Sequence, residues 1–195
     1  MGINNFIIST IEHMRIIGGE HGGRRISPPS KMPYTRPTTD IAKEGLFNML
    51  QNMLDFESLK TLDLFGGTGA ISYELASRGA QELTIIEKDE QMFNFIKKNI
   101  EALQLKAIKA IKMDVFKYML QCKEQHDFIF AGPPYALQAI DDLSKYVFEK
   151  QLLKPEGIFV LEHTPRNDYQ HHPNFYRMKN YGTTIFTFFL QAAHE

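Results

Sequence analysis

Apolar and polar positions change period several times along this 195-residue chain. From residue 61 onward, short β-rich runs (TLDLF, ELTIIEK, AIKAIKMD, DFIFA and GIFVLEH) alternate with longer stretches at helical spacing. Helices are predicted after Gly69 and over residues 89–103, 114–122 and 137–153, with Gly79 and Gly157 as stops. Such alternation is the pattern of parallel βαβ units whose sheet is covered on both faces. The C-terminal stretch NFYRMKNYGTTIFTFFL breaks it, because two strand-like runs flank Tyr181-Gly182 and a tight turn makes neighbouring strands antiparallel. At the front, MRIIGG, EHGG and RRI read as two short strands around a glycine-rich turn. Pro28, Pro29, Pro33 and Pro37 then punctuate an extended loop, and Thr38, Thr39 and Asp40 cap a helix carrying Ala42, Leu46, Met49, Leu50 and Met53. The expected fold class is α/β, with a mostly parallel seven-stranded sheet, an antiparallel C-terminal hairpin and a small N-terminal β-hairpin and helix.

Composition narrows the class without naming a function. Hydrophobic residues at 43% and charged residues at 23% exclude disordered and fibrous chains. The single cysteine, Cys122, cannot form an internal disulfide, and no basic segment followed by an apolar one opens the chain, so a cytoplasmic location is expected. The apolar run at residues 185–190 falls far short of the ~18 residues a spanning helix needs, so no membrane attachment is expected. A monomer is the simpler expectation. The net charge of −1 gives no global reason for a polyanion partner, but its distribution does. Residues 14–36 hold Arg15, Arg24, Arg25, Lys31 and Arg36 against Glu20, a local +4 that leaves −5 for the rest. A solvated basic loop and a polyanion contact both fit that charge.

Three motifs carry chemistry. The run Asp63-Leu64-Phe65-Gly66-Gly67-Thr68-Gly69-Ala70 is a strand passing into a glycine loop and then a helix, the place where open α/β sheets bind nucleotides. A dinucleotide fingerprint would need glycine at the position of Ser72, and no Walker lysine follows. Glu87, ending the second strand, suits the two hydroxyls of a ribose, and Asp114, ending the third, suits an adenine amino group or a helix N-cap. After the fourth strand come Gly132, Pro133, Pro134 and Tyr135. The prolines remove two N–H donors and leave carbonyl acceptors facing the pocket, while Tyr135 offers a ring for stacking. His163, His171 and His172 lack ligand spacing, so no metal is expected.

Together DLFGGTG, Glu87, Asp114 and PPY resemble the Rossmann-like class I methyltransferases that use S-adenosylmethionine. RIIGG, GRRI, RPTTD before a helix ending LFNML, and SRGA after the glycine loop make the chain similar to the RsmD-type ribosomal RNA methyltransferases, from residue 14 to about 190. The resemblance implies methyl transfer to the exocyclic N2 amine of a guanine in 16S ribosomal RNA within the small ribosomal subunit. It implies a cofactor set of Asp63, Phe65, Gly66, Gly67, Thr68, Gly69, Glu87, Lys88, Asp114 and Val115. It further implies a catalytic turn of Gly132, Pro133, Pro134 and Tyr135, and RNA contacts from Arg15, Arg24, Arg25, Arg36 and Tyr135. Residues 1–52 would then be an extension with an RNA-docking hairpin and helix, and residues 53–195 the methyltransferase domain. In such enzymes an Asp or Asn precedes Pro-Pro-Tyr and holds the amine's hydrogens, whereas this chain has Gly132. Three readings of that glycine follow: a slower enzyme using backbone carbonyls, a substitute acceptor such as Asp127 or Glu162, or a sequencing variant; a binding or assembly protein without catalysis is a competing function. A methyltransferase acting on an adenine amine or a glutamine amide keeps the same fold.

Overall fold

The computed structural model describes residues 14–29 and 38–193. Two-residue strands β1 (Met14–Arg15) and β2 (Arg25–Ile26) pair antiparallel as the expected hairpin. Helix α1 (Asp40–Leu50) starts where Thr39 Oγ1 accepts from the Ala42 N–H, which satisfies one of the otherwise orphaned first-turn donors. The doubly wound part then runs β3 (Lys60–Asp63), α2 (Ala70–Ser77), β4 (Glu82–Glu87), α3 (Glu90–Ala102), β5 (Ile108–Lys112), α4 (Val115–Gln121), β6 (His126–Ala131), α5 (Ile140–Glu149) and β7 (Leu153–His163). Strands β8 (Phe175–Tyr181) and β9 (Thr184–Leu190) form the C-terminal hairpin.

The sheet order is β5-β4-β3-β6-β7-β9-β8, with β5, β4, β3, β6 and β7 paired parallel and β9 antiparallel to both of its neighbours, β7 and β8. From β3 the chain winds outward one way through β4 and β5, then returns to place β6 on β3's other side. That reversal opens a crevice at the carboxyl ends of β3 and β6. Strand alternation sends Phe128 and Phe130 to one face and Ile129 and Ala131 to the other, where they join separate apolar clusters. Met14, Ile16, Ile26, Leu46 and Phe47 of the N-terminal hairpin and helix lie in the same cluster as Phe128 and Phe130.

Two boundaries differ from the sequence expectation. Helix α5 begins at Ile140 rather than 137 and ends at Glu149, and Gly157 does not stop it. Gly157 lies inside β7, where a β-carbon would come within 2.8 Å of the Lys154 carbonyl. The chain leaves α5 instead through Gln151 in the left-handed region at φ 53°. Gly79, with φ 104°, does follow α2 as a stop.

Candidate active site

A cavity of about 290 Å³ occupies the crevice between β3 and β6. One wall is the glycine loop, with Phe65, Gly66, Gly67 and Thr68, and the other is Gly132, Pro133, Pro134 and Tyr135. Asp63 and Glu162 supply its two carboxylates, and Thr38 closes a further side. Gly69 follows as the N-cap of α2 at φ 81°, where a β-carbon would meet the Tyr73 ring at 2.3 Å, so glycine is required by both conformation and space. Thr68 Oγ1 donates to the Met14 sulfur at 3.2 Å, tying the loop to the N-terminal hairpin.

Asp63 is 3% exposed. Ser72 Oγ donates to its Oδ2 at 2.8 Å, while Oδ1 is buried with no partner among the described residues. Burial pushes the Asp63 carboxyl up to about 7, with the Ser72 hydroxyl acting in the opposite direction. Glu162, at the end of β7, is 4% exposed and accepts from Thr38 Oγ1 at 2.6 Å and from the Tyr135 hydroxyl at 3.2 Å. Burial raises its carboxyl above the usual range, and these two donors hold the rise in check. The Tyr135 hydroxyl also shares a hydrogen bond with Thr184 Oγ1 at 3.2 Å.

Of the remaining expected residues, Glu87, Lys88, Asp114 and Val115 fall along the same edge but outside the cavity lining. Glu87 accepts from the Gly67 N–H at 2.8 Å through Oε2 and from the Asp89 N–H at 2.8 Å through Oε1, so it braces the glycine loop directly. Asp114 caps α4, its Oδ1 accepting from the Phe116 and Lys117 N–H groups, and Val115 opens that helix. Lys88 lies between β4 and α3. Asp127 stands at the opposite end of β6, where it accepts from the Lys60 N–H and from Lys154 Nζ at 2.7 Å, so it cannot reach the cavity. Arg15, Arg24 and Arg25 are exposed on the N-terminal hairpin, and Arg36 lies outside the described residues. Ser72 and Thr38 were read from sequence only as a failed glycine and a helix cap, since their partners Asp63 and Glu162 are non-local. Among the described residues no group of three His, Cys, Asp or Glu could hold a metal ion.

The family model described as Conserved hypothetical protein 95 matches residues 14–190. The chain belongs to this family, the RsmD family. It is similar to ribosomal RNA small subunit methyltransferase D of Haemophilus influenzae, 31% identical with 76% of this chain and 78% of the relative covered. The Escherichia coli K12 protein of the same name is 29% identical, covering 79% of this chain and 76% of its own length. Among solved structures, that of the T. thermophilus 16S rRNA N2 G1207 methyltransferase (RsmC) in complex with AdoMet and guanosine matches with a TM-score of 0.64 and 26% identity. It covers 79% of this chain and 44% of that one. This RsmD-family chain is therefore an S-adenosylmethionine-dependent methyltransferase, as its motifs led us to expect. The residues suit that cofactor: the cavity carries an acidic oxygen, Asp63 Oδ1, unpartnered among the described residues and fit for an ammonium group, a loop with glycine at 66, 67 and 69 for close approach, and Glu87 bracing it.

Proposed function

We propose that this chain transfers a methyl group from S-adenosylmethionine to the exocyclic N2 amine of a guanine in small-subunit ribosomal RNA. One observation carries the reading: the glycine loop and the Pro133-Pro134-Tyr135 turn, far apart in the chain, form opposite walls of a single cavity that also holds two carboxylates. A methyl donor and a planar amine acceptor brought into that space would meet with little further movement, and such positioning supplies much of a displacement's acceleration. The names of the relatives support ribosomal RNA as the substrate, and the guanosine in the RsmC neighbour supports a guanine.

In this reading Asp63, residues 65–69, Glu87, Lys88, Asp114 and Val115 hold the cofactor. Bound S-adenosylmethionine supplies a methyl group on a sulfonium whose C–S pair leaves with sulfur. The protein's task is to aim the amine, a poor nucleophile because its lone pair is delocalised into the ring. Pro133 and Pro134 carry no N–H, so these two positions of the acceptor wall offer no backbone donor that would turn the amine's hydrogens away. Tyr135 lines the cavity beside them and gives the base a ring edge to pack on after it leaves its stack. Residues up to 52 serve docking in this scheme and residues 53–195 serve transfer, a division of role within one shared core. Arg15, Arg24 and Arg25 meet the RNA backbone, where guanidinium groups suit phosphate.

The test is transfer of radiolabelled methyl from S-adenosylmethionine to small ribosomal subunits lacking their guanine-N2 methylations. The expected product is N2-methylguanosine after nuclease digestion. Label appearing on adenosine, or on a protein glutamine and not on RNA, would move the substrate to that acceptor; cofactor binding without any label transfer would leave a binding protein.

A further inference from the structure

We infer that Glu162, reaching in from the end of β7, is the catalytic acceptor that binds the target amine in the space left by Gly132. The inference rests on the guanine-amine reading above and names the group that orients that amine. Four observations converge on it.

A β-carbon at position 132 would lie 3.6 Å from Glu162 Oε2, little more than the reach of a short acidic side chain. β6 and β7 are parallel neighbours, with Ala131 paired to Leu161, so the next residue on each strand, Gly132 and Glu162, is brought to the same point of the sheet edge. Of the two carboxylates lining the cavity, Asp63 is tied to Ser72 of α2 behind the glycine loop, which leaves Glu162 as the one beside the proline turn. Finally, Thr38 engages one oxygen of Glu162 and Tyr135 the other. A carboxylate offers about four lone-pair sites, so these two donors fix its plane and still leave an acceptor site on each oxygen.

The chemistry follows from that arrangement. An N–H of the amine donates to Glu162, which draws the nitrogen out of conjugation and localises its lone pair. As the nitrogen forms its bond to carbon, it sheds one proton; the N–H pair remains on nitrogen and the proton passes to the Glu162 carboxylate, then to solvent when product leaves. Glycine at 132 is thereby no loss of function but the clearance that lets a longer side chain from the next strand occupy the position. An aspartate there would place a second carboxylate against the first.

The experiment compares the full chain with Glu162→Gln, Gly132→Asp and the double variant, measuring kcat, KM for subunits, and the pH dependence of kcat, with cofactor affinity by calorimetry as a control of folding. Glutamine keeps the shape, its amide oxygen accepting from one of the Thr38 and Tyr135 hydroxyls and its NH2 donating to the other, but it takes no proton. We expect Glu162→Gln to lower kcat roughly 10–100-fold, the loss of one charge-assisted hydrogen bond, with cofactor affinity unchanged and the acidic limb of the pH profile gone. Gly132→Asp in the Glu162→Gln background should recover at least part of the rate, whereas a merely structural hub would gain nothing from it. Glu162→Gln with the parent kcat and pH profile overturns the proposal and leaves the substrate reading standing, and so does a double variant no faster than Glu162→Gln. A parent chain that binds cofactor yet methylates no subunit overturns the substrate reading, and the proposal falls with it.

Discussion

The two walls of the cavity are built on opposite plans. The glycine loop is specified locally: Gly69 donates to the Gly66 carbonyl at 2.7 Å, Tyr73 from the next turn fills the space under Gly69, and Glu87 on the adjacent strand takes the Gly67 N–H. The proline turn supplies almost no side-chain chemistry of its own. Its polar groups come from elsewhere in the chain, Glu162 from β7, Thr38 from ahead of α1 and Thr184 from β9. The first wall tolerates no substitution at its centre because backbone and ring already occupy the space. The second is limited at Gly132 by one edge of the Phe130 ring and then by Glu162 of the neighbouring strand, side chains rather than backbone.

Alanine at one glycine beside each wall, Gly69 and Gly132, should therefore give the widest difference. In Gly69→Ala a β-carbon would sit 2.3 Å from the Tyr73 ring at φ 81°. The backbone conformation costs roughly 1–2 kcal/mol for any L side chain. Overpacking against the ring adds about 1–3 kcal/mol. We expect a lower melting temperature together with loss of measurable cofactor binding in a calorimetric titration. In Gly132→Ala the new carbon would lie 3.0 Å from one edge carbon of Phe130, at a residue outside the left-handed region. That change should cost under ~1 kcal/mol and leave cofactor affinity intact, since a small shift of one ring relieves it. Equal losses at both positions would remove the contrast.

How much of this was legible in the chain follows the same division. The glycine loop, Glu87 and Asp114 could be read because each answers to its own strand end: a β run, then the residue the turn requires. The succession of strands and helices along the chain and the C-terminal hairpin were legible for the same reason, period and turn residues being local. Gly157 was misread because glycine after a helix looks like a stop, whereas here the close approach of the Lys154 carbonyl within β7 demands it. Ser72 looked like a defect in a glycine pattern, and only the fold shows its hydroxyl on Asp63, nine residues back and one layer below. The bond between Thr38 and Glu162 spans 124 residues, and no spacing rule reaches that far.

Asp63 gives a smaller effect that tests the loop wall through pH. Burial pushes its carboxyl from 3.8 up to about 7 in the folded chain, so between those values the native state binds more protons than the unfolded one. Its contribution to stability is thus fully present below about pH 4 and is lost as pH rises through 7, when the buried oxygen must carry charge. Ser72→Ala removes the donor that stabilises the charged form. The variant should cost ~1.5–3 kcal/mol at pH 8, as for a hydrogen bond to a charged group, and clearly less at pH 5 where the carboxyl is neutral. Thermal melts of both chains at the two pH values check this, and a loss independent of pH would place the Ser72 contact outside the titration of Asp63.

The smallest expected effect lies outside the cavity, on the hairpin that the docking role assigns to RNA. Its backbone is held from below: buried Glu74 accepts from the Ile17 and Gly18 N–H groups at 2.7 and 2.8 Å, Ser77 Oγ accepts from His21, and Lys43 Nζ donates to the Arg15 carbonyl. Arg24 and Arg25 are exposed and without an ion pair among the described residues, while Arg15 sits 3.8 Å from Asp40. A rigid hairpin with free guanidinium groups loses little freedom on meeting phosphate, so each contact contributes mainly through counterion release. Arg24→Gln and Arg25→Gln should each weaken subunit binding severalfold and reduce the slope of log affinity against log salt by about 0.7–0.9 per lost phosphate contact. Arg15→Gln should do less, because Asp40 already offsets part of its charge. Cofactor affinity should stay at the parent value in all three, since the glycine loop takes its shape from Tyr73 and Glu87 and not from the hairpin's charges. A parallel fall in cofactor affinity would mean instead that the Thr68–Met14 contact transmits hairpin disturbance to the loop.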